Sequence, residues 1–282
     1  MRLRSTDHVT LAVHHLGGTG EPLLIAHATG FCGHAYRPLA AALHDHFDVW
    51  ALDFRGHGDS TRPRNGDFSW DGMAADALAA IDAVRDGPLV VMGHSMGGAA
   101  LLLAELSSPG VLRCAYLYEP IVFPSGYSPP GASPMAASAR RRRRSFASKA
   151  EALTRYAGRP PLGTLRADAL AAYVEHGLAD RPDGTVELKC TPEDEAATFS
   201  SESKMSVDRV EGLALPTVVA VGGRAGEPNP AAFGPPIVAA MPRARLAEYP
   251  HLGHFGPLQD PETVAEEILA LAAAVPRVSA GA

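Results

Sequence analysis

The chain has 282 residues, 46% of them hydrophobic and 20% charged, and a formal net charge of −6, a balance typical of a globular protein and not of a basic nucleic-acid-binding one. No apolar run reaches the roughly 18 residues of a membrane helix, and none follows the first arginines as in a secretory signal, so we expect a cytoplasmic protein that does not bind membranes. The three scattered cysteines include no CxxC pair and predict neither a disulfide framework nor a structural zinc site.

Short apolar runs alternate with helical patterns over the first 123 residues. An alternating segment at 9–14 is typical of an antiparallel strand, and it is followed by continuous apolar runs at 23–26, 49–52, 89–92 and 115–118. Helices are predicted between these runs, at 36–46, 70–84 and 96–106. Continuous apolar strands that alternate with helices indicate a parallel sheet covered on both faces, which is an α/β fold. Active sites in such sheets lie at the carboxyl ends of the strands.

The alternation of strands and helices stops at about residue 124, where a proline-rich connection leads into helical patterns without apolar strands. Strands resume at 215–221 and 245–249, and a last helix is predicted over 261–273. We therefore predict an α/β core formed by 1–123 and 206–282, interrupted by a helical cap, 124–205, that lies over the strand ends.

The segment Gly93-His94-Ser95-Met96-Gly97 matches G-x-S-x-G and stands between a predicted strand and a predicted helix. In this setting the serine occupies a strained turn with nearly bare neighbours, and the turn exposes its hydroxyl. The following backbone N–H, that of Met96, points to where negative charge develops on a reacting carbonyl oxygen. Ser95 is therefore the predicted nucleophile.

Four segments resemble the α/β-hydrolase superfamily and occur in that family's order: HATGF at 27–31, DFRGHGDS at 53–60, GHSMGG at 93–98 and GHF at 253–255. The resemblance covers nearly the whole chain outside the cap and is far more specific for the fold than for the substrate. It implies a mostly parallel twisted sheet flanked by helices. It also implies that His254 is the general base, with His251 as a weaker alternative; an imidazole titrates near neutral pH and suits that role.

The second oxyanion donor is expected in the loop His27-Ala28-Thr29-Gly30-Phe31, which resembles the family's His-Gly-x loop with two extra residues before the glycine. An alignment on Gly30 makes the N–H of Phe31 the donor, whereas an alignment on His27 favours Thr29. We choose Phe31, because Gly30 gives the backbone the freedom that such a turn needs.

The catalytic acid departs from the family's common pattern, because the loop after the strand at 218–221 lacks the expected aspartate. A second placement is known among haloalkane dehalogenases, after the strand that follows the nucleophile's helix. Here that strand ends in Glu119, at a spacing of 24 residues from Ser95. We predict Glu119 as the acid, with Glu227 as the alternative. Those dehalogenases attack with an aspartate, so Ser95 argues against dehalogenation.

The residues together predict a serine hydrolase that cleaves a small-molecule carboxylic ester or thioester through an acyl-enzyme, with no cofactor or metal. A C–C bond hydrolase, a lactonase or an acyltransferase or cyclase would use the same residues, and a non-catalytic ligand-binding protein is less favoured. The run Arg140–Arg144 is interpreted as a solvated or internally paired surface, with an anion site for a phosphate-bearing carrier as the alternative. A homodimer is left open.

Overall fold

A computed structural model describes residues 1–85, 87–126, 133–201, 203–223 and 230–277. Eleven strands occur in the described ranges: β1 (Arg2–Arg4), β2 (Thr10–Gly17), β3 (Glu21–Ala26), β4 (Phe47–Asp53), β5 (Leu89–His94), β6 (Leu112–Tyr118), β7 (Ser145–Phe146), β8 (Leu178–Asp180), β9 (Val186–Leu188), β10 (Thr217–Gly222) and β11 (Ala244–Tyr249). Eight of them form one sheet in the order β1-β2-β4-β3-β5-β6-β10-β11. The pairs β1–β2 and β2–β4 are antiparallel, and all the others are parallel. The predicted α/β fold is confirmed.

Helices cover both faces of this sheet, as the apolar strands require. Within the described ranges they are α1 (Arg37–Leu43), α2 (Trp70–Val84), α3 (Met96–Ser107), α4 (Pro134–Arg140), α5 (Lys149–Ala157), α6 (Ala167–Gly177), α7 (Pro192–Ser200), α8 (Gly234–Ala240), α9 (Gly256–Gln259) and α10 (Pro261–Ala274). Leu39 of α1 and Ile268 of α10 belong to the buried cluster on one face, whereas Met73 of α2 and Leu101 of α3 belong to the cluster on the other. None of the described helices is long and apolar enough to cross a membrane.

Capping residues set the helix starts near the predicted positions. The Ser69 hydroxyl accepts a hydrogen bond from the N–H of Gly72 and begins α2. The Asp260 carboxylate accepts one from the N–H of Thr263 and begins α10, where Pro261 occupies the first position. Both caps satisfy backbone donors that a helix leaves unpaired in its first turn.

The segment predicted as a cap, residues 124–205 and called the cap below, contains α4 to α7 and also a three-stranded sheet in the order β7-β9-β8. The sequence predicted only helices there, and the strands are a correction. They have two or three residues each, too short to produce an alternating pattern, and β8 and β9 pair around a turn at Gly184, whose φ is +84°. Phe123 pairs with Ser206, so the two ends of the cap segment lie side by side.

Candidate active site

Ser95 lies in a strained turn between β5 and α3, with φ +57° and ψ −120°. Such an angle is rare for a residue with a side chain and is found where the surrounding structure enforces it. A Cβ at Gly93 would lie 2.6 Å from the Cα of Gly98, and one at Gly97 would lie 2.3 Å from the carbonyl oxygen of Ala26. Glycine is therefore needed at both positions, because a side chain there would collide with neighbouring backbone atoms.

Glu119 directly follows β6, and its φ of +42° also falls in the left-handed region. Its carboxylate is 1% exposed and has two partners. Oε2 lies 2.6 Å from Nδ1 of His254, and Oε1 accepts a 2.8 Å hydrogen bond from the N–H of Gly222. The structure thus brings Glu119 to His254, as the sequence predicted. The alternative acid, Glu227, lies outside the described residues.

The loop that carries His254 is fixed by buried side chains of two neighbouring strands. The Tyr118 hydroxyl donates to the carbonyl of Gly253 at 2.9 Å, and Nε2 of His94 lies 2.8 Å from the carbonyl oxygen of His254. The N–H of Gly253 donates to Oε1 of Gln259 at 2.8 Å. These bonds orient the His254 ring, which is 19% exposed and faces the carboxylate through Nδ1.

His94 is the variable residue beside the serine in the sequence motif, and the sequence gives no signal for a role of its own. In the structure it joins two loops of the site. The hydroxyl of Tyr36 accepts from the N–H of Ala28 at 3.2 Å and donates to Nδ1 of His94 at 2.7 Å. Nδ1 is therefore an acceptor and Nε2 the donor to His254. Burial, followed by the nearby His254, holds the pKa of His94 well below its usual value, in agreement with a neutral ring.

The hydroxyl of Ser95 makes no hydrogen bond within the part of the chain that the structure describes, so its contact with His254 is not closed. Catalytic hydrogen bonds are often long or misaligned before a substrate binds. The pair of His254 and Glu119 is therefore assembled, while a hydrogen bond between Ser95 and His254 is not formed among the described residues. His251 is 61% exposed and lies 3.6 Å from Asp260, away from this pair.

The loop 27–31 contains a turn that changes the expected oxyanion donor. The N–H of Phe31 donates to the carbonyl of Ala28 at 3.1 Å, and Gly30, at the third position, has φ +81°, which is the pattern of a type II turn. The N–H of Phe31 is thus already hydrogen-bonded within its own loop. The N–H and hydroxyl of Thr29 make no hydrogen bond to the described residues. The geometry therefore favours Thr29 over the predicted Phe31.

Met96 is the first residue of α3, where a backbone N–H has no partner within the helix. Because α3 begins against the end of β3, this N–H and the loop after β3 lie at the same edge of the sheet. Backbone N–H groups at this edge of the sheet are the type of donor that stabilises a developing oxyanion.

The loop after β4 is held by hydrogen bonds to its own buried aspartate. Asp53 accepts hydrogen bonds from the N–H groups of Gly33 and Asp59 and lies 2.8 Å from Nε2 of His14. Burial alone would raise the pKa of Asp53, but the hydrogen bond and charge of His14 lower it to about 2. His14, Asp53 and Asp59 have the residue types of a metal site. Lys189 donates to Asp59 at 2.6 Å, so a cation already compensates this group.

The arginine run of the cap is largely paired within the cap. Arg143 lies 2.7 Å from Glu151, and Arg144 lies 3.6 Å from Glu187. Arg142 turns inward, forms an ion pair with Glu195 and donates to the hydroxyl of Tyr173 at 2.8 Å. These contacts agree with the interpretation of a paired surface.

The chain belongs to the alpha/beta hydrolase family, whose model matches residues 23–267. An (E)-2-((N-methylformamido)methylene)succinate hydrolase of Acinetobacter baylyi is 30% identical over 100 residues, 34% of this chain and 36% of that protein. The chain spans about a third of the length of the first curated relatives it matches.

Solved structures extend the likeness to the whole fold. An E-2-(acetamidomethylene)succinate hydrolase superimposes with a TM-score of 0.78 at 21% identity, over 97% of this chain and 99% of that one. A thermophilic esterase from Thermogutta terrifontis does so with a TM-score of 0.74 at 23% identity, over 98% of both chains. At these identities the likeness establishes the fold, and it leaves the substrate open.

Proposed function

We propose that this protein is a serine hydrolase that cleaves a carboxylic ester or thioester of a small molecule through an acyl-enzyme. The observation that supports this proposal best is the buried pair of Glu119 and His254 beside the strained turn of Ser95. A buried carboxylate bonded to one nitrogen of an imidazole leaves the other nitrogen available to take a proton.

In the proposed reaction Ser95 Oγ attacks the carbonyl carbon while Nε2 of His254 takes the hydroxyl proton. Glu119 holds Nδ1–H and stabilises the imidazolium that forms. The oxyanion of the tetrahedral intermediate accepts hydrogen bonds from the N–H groups of Met96 and Thr29. His254 then returns its proton to the leaving alcohol or thiol. In the second half of the reaction His254 takes a proton from water, which attacks the acyl-enzyme and releases the acid.

A second candidate is hydrolysis of a C–C or amide bond in an acidic substrate by the same residues. The name of the Acinetobacter baylyi relative describes an amide-bearing succinate, which carries carboxylates. In this chain a Cβ at Gly30 would lie 3.1 Å from Nη1 of Arg142 and 2.9 Å from Oε1 of Glu195, its ion-pair partner. A substrate carboxylate would therefore compete with Glu195 for this guanidinium. Lactone formation and acyl transfer need the same residues and differ only in the acceptor.

The test is turnover of p-nitrophenyl esters of increasing chain length, alongside an amide-bearing succinate, by the wild-type protein and by Ser95→Ala. We expect ester turnover that requires Ser95 and depends on chain length. Turnover of the succinate alone would favour the second candidate. Undiminished activity of Ser95→Ala would refute both.

A further inference from the structure

The cap reaches the oxyanion loop through one buried tyrosine. Tyr173 of α6 is 2% exposed, and its hydroxyl donates to the carbonyl of Gly30 at 3.2 Å. Its ring lies 5.0 Å from the ring of Phe31. Because burial raises the pKa of Tyr173, the phenol keeps the proton that it donates. The contact joins residues that are 143 positions apart.

The direction of this hydrogen bond is set by Arg142. A guanidinium has donors and no acceptor, so the phenol oxygen must accept the 2.8 Å bond from Nη2 of Arg142. The single phenol hydrogen is then left for the carbonyl of Gly30. Arg142 is itself held by its ion pair with Glu195. A Cβ at Gly30 would lie 2.9 Å from Oε1 of Glu195, so the cap packs closely on this loop.

The bonds continue through the backbone of the loop. The carbonyl of Gly30 and the N–H of Phe31 belong to one planar peptide unit, and that N–H donates to the carbonyl of Ala28. The carbonyl of Ala28 shares a peptide unit with the N–H of Thr29. Each group therefore donates to the next in one direction, from the guanidinium of Arg142 to the free N–H of Thr29. Hydrogen bonds in such a chain polarise and strengthen one another.

We propose that Tyr173, held by Arg142, is a positioning residue that orients and polarises the oxyanion donor of Thr29 from the cap. This inference rests on the proposed function, because it concerns the donor that stabilises the proposed tetrahedral intermediate. Tyr173 does not touch the reacting atoms; it acts through the peptide units 30–31 and 28–29. The cap is thereby a part of the catalytic apparatus as well as a cover.

The test compares Tyr173→Phe with Tyr156→Phe, using a p-nitrophenyl ester and an alkylboronic acid that mimics the tetrahedral intermediate. Tyr156 is a matched control, since its ring lies 6.0 Å from that of Tyr173 and its hydroxyl makes no hydrogen bond to the described residues. Loss of a whole oxyanion donor costs about 10²- to 10³-fold in kcat, and we expect a weakened donor to cost roughly tenfold. In Tyr173→Phe the boronate affinity should fall by the same factor, with KM nearly unchanged.

Arg142→Lys is the second variant, because lysine keeps the charge beside Glu195 and lacks the fork that also reaches the phenol. It should lower kcat and boronate affinity together, by less than Tyr173→Phe does. The inference is overturned if both variants keep wild-type kcat and boronate affinity, or if KM alone changes. Ser95→Ala, measured in parallel, separates the two proposals: its inactivity combined with wild-type behaviour of Tyr173→Phe would reject only this inference.

Discussion

Glu119 Oε2 lies 2.6 Å from Nδ1 of His254, and the sequence positions of the two residues differ by 135. The fold joins them because β6, β10 and β11 are parallel neighbours, so Glu119 after β6 and the His254 loop after β11 lie at one edge of the sheet. Glu119 sits at the end of β6, and Gly222 at the end of β10 donates to its second oxygen. Residues of both strands thus fix the Glu119 carboxylate. Glu119 can therefore face His254 although the loop after β10 lacks the aspartate that is the usual acid of this family.

The first prediction concerns Glu119→Gln. An amide in place of the carboxylate cannot stabilise the imidazolium and favours the wrong tautomer, so kcat should fall on the order of 10³-fold or more. The measurement is steady-state ester hydrolysis with the fold verified by circular dichroism.

Glu105→Gln is the matched control for that variant. Glu105 is also buried, but its carboxylate accepts from the N–H groups of Gly110 and Leu112, remote from Ser95. It should lower the free energy of unfolding and keep most of kcat. Near-normal turnover by Glu119→Gln would show that another group is the acid.

The second prediction concerns the backbone donor of Thr29. Thr29 is the second residue of the turn 28–31, a position that suits proline in a type II turn. Thr29→Pro therefore removes the N–H with little strain and should lower kcat by about 10²- to 10³-fold. Thr29→Ala removes only the hydroxyl and should retain most of the activity. If Thr29→Pro remains fully active while folded, the donor lies elsewhere in the loop.

The third prediction is a pH dependence of stability. The folded protein keeps His94 neutral, whereas the unfolded chain takes up a proton near pH 6.5. The unfolded state then binds more protons, so this contribution to stability is present above pH 6.5 and is lost as the pH falls below it. His27 behaves in the same way, because burial, followed by His57, lowers its pKa to about 3.

The corresponding measurement is urea unfolding between pH 5 and 8. His94→Gln should reduce the slope of the free energy of unfolding below pH 6 by about 1 kcal/mol per pH unit. His46→Gln, at an exposed position, is the control variant for the same substitution. An identical slope in wild type and His94→Gln would mean that His94 is protonated in the folded state.

The fourth prediction tests the structural role of the loop after β4. Arg55 is fully buried, and its Nε and Nη2 each donate to Asp76 at 2.8 Å. Arg55→Met would leave the buried Asp76 carboxylate without its cationic partner, which costs about 3–5 kcal/mol of unfolding free energy. Arg181→Met breaks a half-exposed pair with Glu187 and should cost less than about 1 kcal/mol. Equal effects of the two variants in urea unfolding would contradict the structural role of Arg55.

The position of Ser95 in a turn and the pairing of His254 with Glu119 could be predicted from the sequence, because each has a local chemical signature. Glycines that allow close backbone contacts flank Ser95, and Glu119 follows an apolar strand on which an unpaired carboxylate would be costly. The choice between Phe31 and Thr29 was not within reach. It depends on the closure of a turn between Ala28 and Phe31, and neither of the two alignments shows which N–H that turn engages.

Contacts between distant elements were also missed. Tyr36 and His94 are 58 positions apart, and Tyr173 meets Gly30 only because the cap folds back onto the core. A tyrosine within an amphipathic helix carries no sequence signal that separates such a bond from packing. The strands β7 to β9 escaped prediction for a related reason, since their pairing depends on register rather than on composition.

The central claim is that Ser95, activated by His254, attacks the substrate. The most direct measurement is intact-protein and peptide mass spectrometry after reaction with a fluorophosphonate, in wild type, Ser95→Ala and His254→Ala. A single phosphonyl adduct on the peptide that contains Ser95 is predicted, with no adduct in Ser95→Ala and much slower labelling in His254→Ala. An adduct on another residue, or an unlabelled but folded wild-type protein, would contradict the account.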